Sequence, residues 1–364
     1  MAIQVTNHKC PTCTGPLHYS TEVQTLVCDF CGGAFDVRTI EEMYAGKDAA
    51  AETASKEAAE KIPEPGSPWS EAEAAGLRVY GCPSCGAELV CDAYTAATSC
   101  PYCSNPTVIP GQLGGTLKPD FVIPFKLDRK TAEQTLEKYY NGKKLLPRNF
   151  IKGNHISEIK GIYVPFWLYD ANTTGDLNYL AQKVHSYRDG DYRIDRVEHF
   201  DVQRSGTIQF IQVPVNGSTK MPDTHMDAIE PYDYRELAVF STAYLPGFLA
   251  DKYDVDSVQC RQRMEHRIKN STKKALEGTI HGYTSKSSAG EYIDVQHSAV
   301  SYALLPVWML HTKWSGKDFL FAMNGQTGKL IGDLPVDKRK VMVWFAGIFF
   351  PLFITLCILL YGGG

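Results

Sequence analysis

Cys10, Cys13, Cys28 and Cys31 are echoed residue for residue by Cys82, Cys85, Cys100 and Cys103. In each set two Cys-x-x-Cys pairs are separated by fourteen residues, and the two sets take eight of the chain's eleven cysteines. Four soft thiolates at this separation close tetrahedrally on one zinc, each pair on a tight turn and the intervening residues forming a hairpin. The competing pattern is the disulfide framework of a small secreted domain, but the N-terminal MAIQVTNHKC has no apolar run to act as a signal-peptide core. Pro11, Pro83 and Pro101 each follow the first thiol of a pair. Gly32 and Gly86 follow the second, where a positive φ turns backbone N–H groups towards sulfur. The reading is two zinc ribbons, each holding one structural zinc ion. His8 and His18 are surface side chains in this reading, because four thiolates already fill a site. Cys91 is a packed thiol at the place of Tyr19 in the first copy.

At 364 residues the chain has room for two or three domains, and its 44% hydrophobic and 21% charged residues are ordinary for globular protein. Its net charge of -4 is unevenly distributed. Residues 1–120 hold 7 Lys or Arg against 15 Asp or Glu, a balance of -8, while the remainder is +4. Four thiolates around one dication add a formal charge of about -2 per site. Nucleic-acid binding draws on Lys and Arg that release counterions from phosphate. An acidic ribbon pair therefore makes nucleic acid an unlikely partner and protein contact the better expectation.

Along the chain the patterning divides as follows: zinc ribbon 1 over 1–38, a helical spacer and linker over 39–69, zinc ribbon 2 over 70–112, an α+β domain over 116–336, and an apolar helix over 341–360. A short strand is expected at Ala34 to Val37. The Ala-, Glu- and Lys-rich stretch from Ile40 to Lys61 reads as a solvated helix, which PEPGSP at Pro63 to Pro68 ends. Ser70 and Glu73 fit a capping box. In the α+β domain YVPFWLY, Tyr163 to Tyr169, recurs at an offset of 141 as LLPVWML, Leu304 to Leu310. Each copy is preceded by a helix: Arg129 to Tyr140 with Asp128 as cap, and Ser257 to Glu277 with a capping box of Asp256 and Gln259. This predicts an internally duplicated arrangement of helix on antiparallel sheet. Asp189-Gly190, Ser315-Gly316 and Thr327-Gly328 mark hairpin turns. Trp167, Trp308 and their neighbouring tyrosines read as aromatic core rather than a ligand cage. Arg261, Arg263, Arg267, Lys269, Lys273 and Lys274 read as a solvated helix face, diluted by Glu265 and Glu277, and Cys260 as a lone thiol without a role.

Val341 to Leu360 contains no charge, and thirteen of its twenty residues are Leu, Ile, Phe or Val. Such a helix spans roughly 30 Å, the hydrocarbon thickness of a bilayer. Its insertion is favoured by about 4 to 8 kcal/mol, less modest penalties for Gly347, Pro351 and Thr355. Lys338, Arg339 and Lys340 precede it, so the positive-inside bias places the preceding domains in the cytoplasm. The expectation is a single-pass protein of the cell membrane with a C-terminal anchor, its thiols reduced and metal-ligating. The Asn-x-Ser/Thr matches at Asn172, Asn216 and Asn270 are then coincidental.

The chain has no GxxxxGK[ST], HExxH or GxSxG, and no dinucleotide-type GxGxxG leading out of a strand. GQTGK at Gly325 to Lys329 lacks the second half of a phosphate loop and reads as a turn. A non-enzymatic protein with no catalytic residues is the expectation.

The two CPxC ribbons, LLP with Phe at Leu145 to Phe150, GIYVPFWLY at Gly161 to Tyr169, LLPVWML, and FAMNGQTGKLIGDLP at Phe321 to Pro335 together resemble a bacterial family of membrane-anchored double zinc-ribbon proteins of the transcription-factor-IIB type. The resemblance covers nearly the whole chain, and its last phrase is the most specific. It implies an association with phage-shock and flotillin-like (SPFH) genes and a role in recruiting such partners to the membrane under envelope stress. Some members carry a replication-restart helicase label; with no nucleotide-binding loop here, that activity is not carried over. The expected function is a membrane-anchored adaptor or scaffold for cytoplasmic protein partners. The alternative is a nucleic-acid-binding zinc-ribbon protein related to replication or transcription, acting through the basic helix at Arg261 to Lys274.

Overall fold

The computed structural model describes residues 10–12, 17–20, 23–28, 31–44, 64–92, 99–105, 109–111, 117–141, 143–147, 149–150 and 156–361. Ribbon 1 is a three-stranded antiparallel sheet of β1 (Leu17–Ser20), β2 (Thr25–Cys28) and β3 (Ala34–Phe35), followed by α1 (Val37–Tyr44). The strand expected through Val37 stops at Phe35, because the Asp36 carboxylate accepts from the Arg38 N–H at 2.9 Å and its carbonyl from Ile40, which starts the helix early. Val37 and Ile40 are buried, so this turn packs against the core instead of facing water. The rest of the expected spacer, residues 45–63, lies outside the described residues.

Ser70 caps α2 (Glu71–Ala75) with the expected reciprocal box to Glu73. Ribbon 2 follows as β4 (Leu77–Gly81), β5 (Glu88–Asp92) and β6 (Ile109–Gly111), with β4 paired to both of the others. The body comprises β7 (Phe121–Val122), α3 (Arg129–Asn141), β8 (Lys160–Asp189), β9 (Tyr192–Asn216), α4 (Asp223–Ala228), β10 (Ala238–Val239), β11 (Leu249–Asp251), α5 (Ser257–Glu277), β12 (Ser285–Trp314), β13 (Lys317–Asn324) and β14 (Leu330–Gly332). A final helix, α6 (Lys338–Tyr361), is long and apolar enough to cross a membrane. One sheet runs β10-β7-β12-β8-β11-β5-β4-β6, so β11 joins ribbon 2 to the body edge to edge through Ala250 opposite Val90. Ribbon 1 docks through its own core, with Tyr19 against Tyr244 at 5.5 Å.

The same strand-helix-strand-strand unit occurs twice: β7-α3-β8-β9 and β11-α5-β12-β13. The first strand of the second unit, β11, lies parallel to β8 of the first, with Leu249 opposite Ile162. The first strand of the first unit, β7, lies parallel to β12 of the second, with Phe121 opposite Ala303. The units therefore exchange their first strands. Their tryptophans reciprocate the exchange. Trp167 of β8 donates its indole N–H to the Val255 carbonyl ahead of α5, and Trp308 of β12 donates to the Leu127 carbonyl ahead of α3, both at 2.9 Å. Trp167 meets Tyr253 edge-on at 5.1 Å, as Trp308 meets Phe125 at 5.1 Å. Gly217 and Gly325 donate to the carbonyls of Pro165 and Pro306 at 2.9 and 2.8 Å. The Gly325 turn is held by Asn324, so GQTGK is a turn as expected.

The repeated phrases are buried on both faces. On β8, Tyr163, Trp167 and Tyr169 face α3, α5 and ribbon 1, whereas Ile162, Val164, Phe166 and Leu168 face ribbon 2 and α4. This period-2 split of an all-apolar run is what a central strand between two layers requires.

Beyond the body, β9, β8 and β12 continue as a three-stranded antiparallel arm. Its residues 171–189 alone extend roughly 60 Å at strand rise. The hairpin turn falls on Gly190-Asp191, one residue past the expected Asp189-Gly190, because Asp189 still pairs with Tyr192 and Gly190, at φ 62, takes the first turn position; the strands are also far longer than the turn signals suggested. One arm face packs Leu177, Tyr179, Ala181 and Val202 against Leu276 and Ile280. Gly175 permits this approach: a Cβ there would lie 2.8 Å from the Leu276 methyl. The opposite face exposes hydroxyls and amides, among them Asn172, Thr174, Asn178, Gln203, Ser205 and Thr207. Among the described residues, β9 is hydrogen-bonded to a strand on one side only.

Candidate metal centres

Three of the Cys-x-x-Cys turns share one backbone geometry. The carbonyls of Cys28, Cys82 and Cys100 accept from Gly32, Gly86 and Ser104 at 2.8, 2.9 and 3.0 Å, and the same three cysteines donate to the carbonyls of Gly33, Ala87 and Asn105. Each turn needs a left-handed residue after its second thiol: Gly32 and Gly86 have φ 69, and Ser104 has φ 57. The turns aim both sulfurs of a pair inward. In ribbon 2 the Sγ atoms of Cys82, Cys85, Cys100 and Cys103 all lie within 4.8 Å of one another, with Cys82–Cys103 and Cys85–Cys100 at 3.6 Å. In ribbon 1 Cys10, Cys28 and Cys31 form the equivalent cluster, with Cys10–Cys31 at 3.4 Å; Cys13 lies outside the described residues.

Four sulfurs about 2.3 Å from a tetrahedral zinc stand about 3.8 Å apart, whereas a disulfide would bring two of them to about 2.05 Å. The observed separations fit the metal and exclude the bridge. Each ribbon holds one structural zinc ion, and in ribbon 2 the four thiols brought together leave no open coordination position for a substrate. Burial raises the Cys82 thiol, but N–H donors from Cys85 and Ser84, helped by the thiols of Cys103 and Cys85, outweigh it and hold the group near 7. Burial pushes Cys100 upward. A bound dication deprotonates all four.

The body answers the excess negative charge of ribbon 2 with two lysines. Lys160 at the start of β8 donates to the Ser99 carbonyl at 2.8 Å, and Lys220 donates to the Cys85 carbonyl at 2.8 Å. Burial lowers the Lys160 pKa while the Cys100 thiolate raises it. Beneath the second turn the Asp251 carboxyl is fully buried and accepts from the Ser218 hydroxyl at 2.6 Å. Burial pushes it up to about 7 against the opposing pull of Ser218 and Tyr102.

Between ribbon 2 and the body lies an open crevice of about 490 Å³ lined by Ser99, Ser104, Arg129, Glu158, Lys160 and His311. Its polar groups are engaged with protein: Lys160 with Ser99, Arg129 with Glu133 at 3.1 Å, and His311 with Ser104 at 3.1 Å and Asp318 at 3.4 Å.

The basic helix departs from expectation. Arg263 pairs with Asp223 and Asp227, Arg267 with Asp227 and Glu230, and Lys273 with Glu291, so three of the six cations hold the fold together. Only Arg261, Lys269 and Lys274 remain as a solvated face. Cys260 is buried, its Sγ 3.5 Å from the Asn216 carbonyl, and Cys91 is likewise packed.

The family model of Trm112p-like proteins matches residues 9–39, which is ribbon 1 with the start of α1. Across 362 residues, 99% of this chain and 99% of the relative, the sequence is 34% identical to the uncharacterized protein YdjG of Bacillus subtilis (strain 168). The chain belongs to the YdjG family. No solved structure resembles it significantly.

In this YdjG-family chain the positional cue for Ser104 was readable, since it occupies the place of Gly32 and Gly86 after the second thiol. Lys160, Lys220 and Asp251 had no such cue, because nothing local to those residues reports what the fold brings beside them.

Proposed function

We propose that this protein is a non-enzymatic adaptor of the cell membrane, anchored once through α6 with its domains in the cytoplasm, and that its duplicated α+β body recruits protein partners to the bilayer. The arm carries this reading. It projects a long sheet whose β9 edge has unpaired backbone groups among the described residues, and such an edge accepts an added strand. Most single proteins blunt an edge of this length. Here Arg196 of β9 is the kind of charge that discourages indiscriminate pairing while leaving room for a chosen partner. The closed zinc sites support a structural use of the metal. The ribbons pack on the body, so the arm rather than the ribbons is the projecting surface. By resemblance, the partner is an SPFH/flotillin-like or phage-shock protein.

The alternative, nucleic-acid binding through α5, is weakened by the ion pairs that occupy Arg263, Arg267 and Lys273. A catalytic reading would use the crevice beside ribbon 2, whose polar groups are tied to structural partners.

The test is binding of the full chain, reconstituted in nanodiscs, to purified SPFH-type and phage-shock proteins, with and without the arm tip, residues 184–197. Binding that disappears with the tip supports the proposal. Binding unaffected by the tip removes the arm from it, and salt-dependent capture of DNA or RNA in place of protein overturns it.

A further inference from the structure

The loop after α3 is folded onto the root of α6. The Asp337 N–H donates to the Leu145 carbonyl at 2.9 Å, and the Lys340 ammonium donates to the Leu146 carbonyl at 2.6 Å. The Asp337 carboxylate caps the helix by accepting from the Arg339 N–H at 2.9 Å and the Lys340 N–H at 3.3 Å. Its charge is thus spent on the helix N-terminus. Lys144 sits with its ammonium 5.1 Å from the centre of the Trp344 ring, nearly two turns inside α6. Lys143 lies beside it, 4.5 Å from the Tyr139 ring. Lys143, Lys144, Lys338 and Arg339 are exposed, as is Leu145.

We infer that Lys143 and Lys144, with Lys338 and Arg339, form a binding surface for the phosphate headgroups of anionic phospholipids. This rests on the reading of α6 as a membrane span. If α6 enters the bilayer at Val341, Trp344 lies in the interfacial layer where tryptophan is favoured, and its contact fixes Lys144 at the same depth. The hydrogen bonds from Asp337 and Lys340 hold the loop to the helix, so the lysines stand at headgroup level as part of a rigid unit. Four exposed cations, with the nearby Asp337 carboxylate already engaged, face a layer of phosphates. Each cation near a membrane surface raises affinity for anionic lipid roughly fivefold. Two of the four come from a loop nearly two hundred residues before the anchor, so the surface is a product of the tertiary fold and not of the juxtamembrane sequence alone.

The experiment reconstitutes the full chain in vesicles of phosphatidylcholine containing phosphatidylglycerol, and compares spin-labelled forms of the two lipids in the motionally restricted layer at the protein. The double variant Lys143→Gln with Lys144→Gln should lower the preference for phosphatidylglycerol by about fivefold or more. The corresponding Arg variants should retain it, and Lys269→Gln with Lys274→Gln on α5 should leave it unchanged. An unchanged preference in the loop variant, or an equal loss in the α5 variant, overturns the inference. A chain that alkaline carbonate strips from the vesicles overturns the membrane span itself and the inference with it; a chain retained with unaltered lipid preference overturns the inference alone.

Discussion

Replacing Trp167 or Trp308 with Phe tests whether the two units are energetically as well as geometrically equivalent. Each indole is buried, at 2% and 4% exposure, and each donates at 2.9 Å to a carbonyl in the turn that launches the other unit's helix. Phenylalanine keeps an edge-on ring partner for Tyr253 or Phe125 but removes the donor. A buried carbonyl left without its partner costs about 1 to 3 kcal/mol, and the space vacated by the smaller ring adds about 1 kcal/mol. Each variant should therefore lose about 2 to 4 kcal/mol, a large share of a domain stability of about 5 to 15 kcal/mol. Because distances and burial match, the two losses should agree within about 1 kcal/mol. Urea unfolding of the full chain in detergent, followed by near-ultraviolet circular dichroism, reads the stability. Hydrogen exchange should place the loosening at α5 for Trp167→Phe and at α3 for Trp308→Phe. If one substitution were almost silent while the other unfolded the protein, or if each loosened its own unit's helix, the reciprocal exchange would not be what holds the units together.

Metal analysis should find two zinc ions per chain, and Cys100→Ser should leave one; finding two in the variant would remove Cys100 from the site. Chelation should raise hydrogen exchange in residues 77–92 before it affects the doubly buried centre of β8, because ribbon 2 depends on metal while β8 is held by two packed layers. Asp251 has its folded pKa raised from 3.8 to about 7, so the folded state binds this proton more tightly than the unfolded state. Its contribution to stability is then fully present below about pH 4 and is lost as pH rises towards 7, a change of roughly 4 kcal/mol. Asp251→Asn, which still accepts from Ser218, should flatten that part of the pH profile, measured as the difference between wild type and variant. A parallel pair of profiles would place the titration elsewhere.

Short-range patterns were legible wherever the determining contacts lie within a few residues. The thiol spacing specifies the ribbons because a Cys-x-x-Cys turn builds itself from its own backbone. Asp128, Ser70 and Asp256 announce their helices because a cap acts over three residues. The same locality misled at Val37, where the apolar run suited either a strand or a packed helical turn and the Asp36 cap decided between them. It misled again on α5, where a helix face crowded with arginine looks solvated until Asp223, Asp227 and Glu230 are known to stand opposite.

By itself, then, the sequence determined the two thiol-rich metal sites, the two repeated phrases, the helix starts and an anchor-length apolar segment, all of them properties of composition and spacing along one stretch of chain. The tertiary structure decided how these are joined. It made ribbon 2 continuous with the body through β11, exchanged the first strands of the two units, and drew β8, β9 and β12 out into an arm. It also set Lys160 and Lys220 against the Ser99 and Cys85 carbonyls of ribbon 2 and Lys144 against Trp344. Those contacts join residues far apart in the chain, and their closure is settled by which apolar faces must be covered on both sides of one sheet, which no single stretch of sequence records.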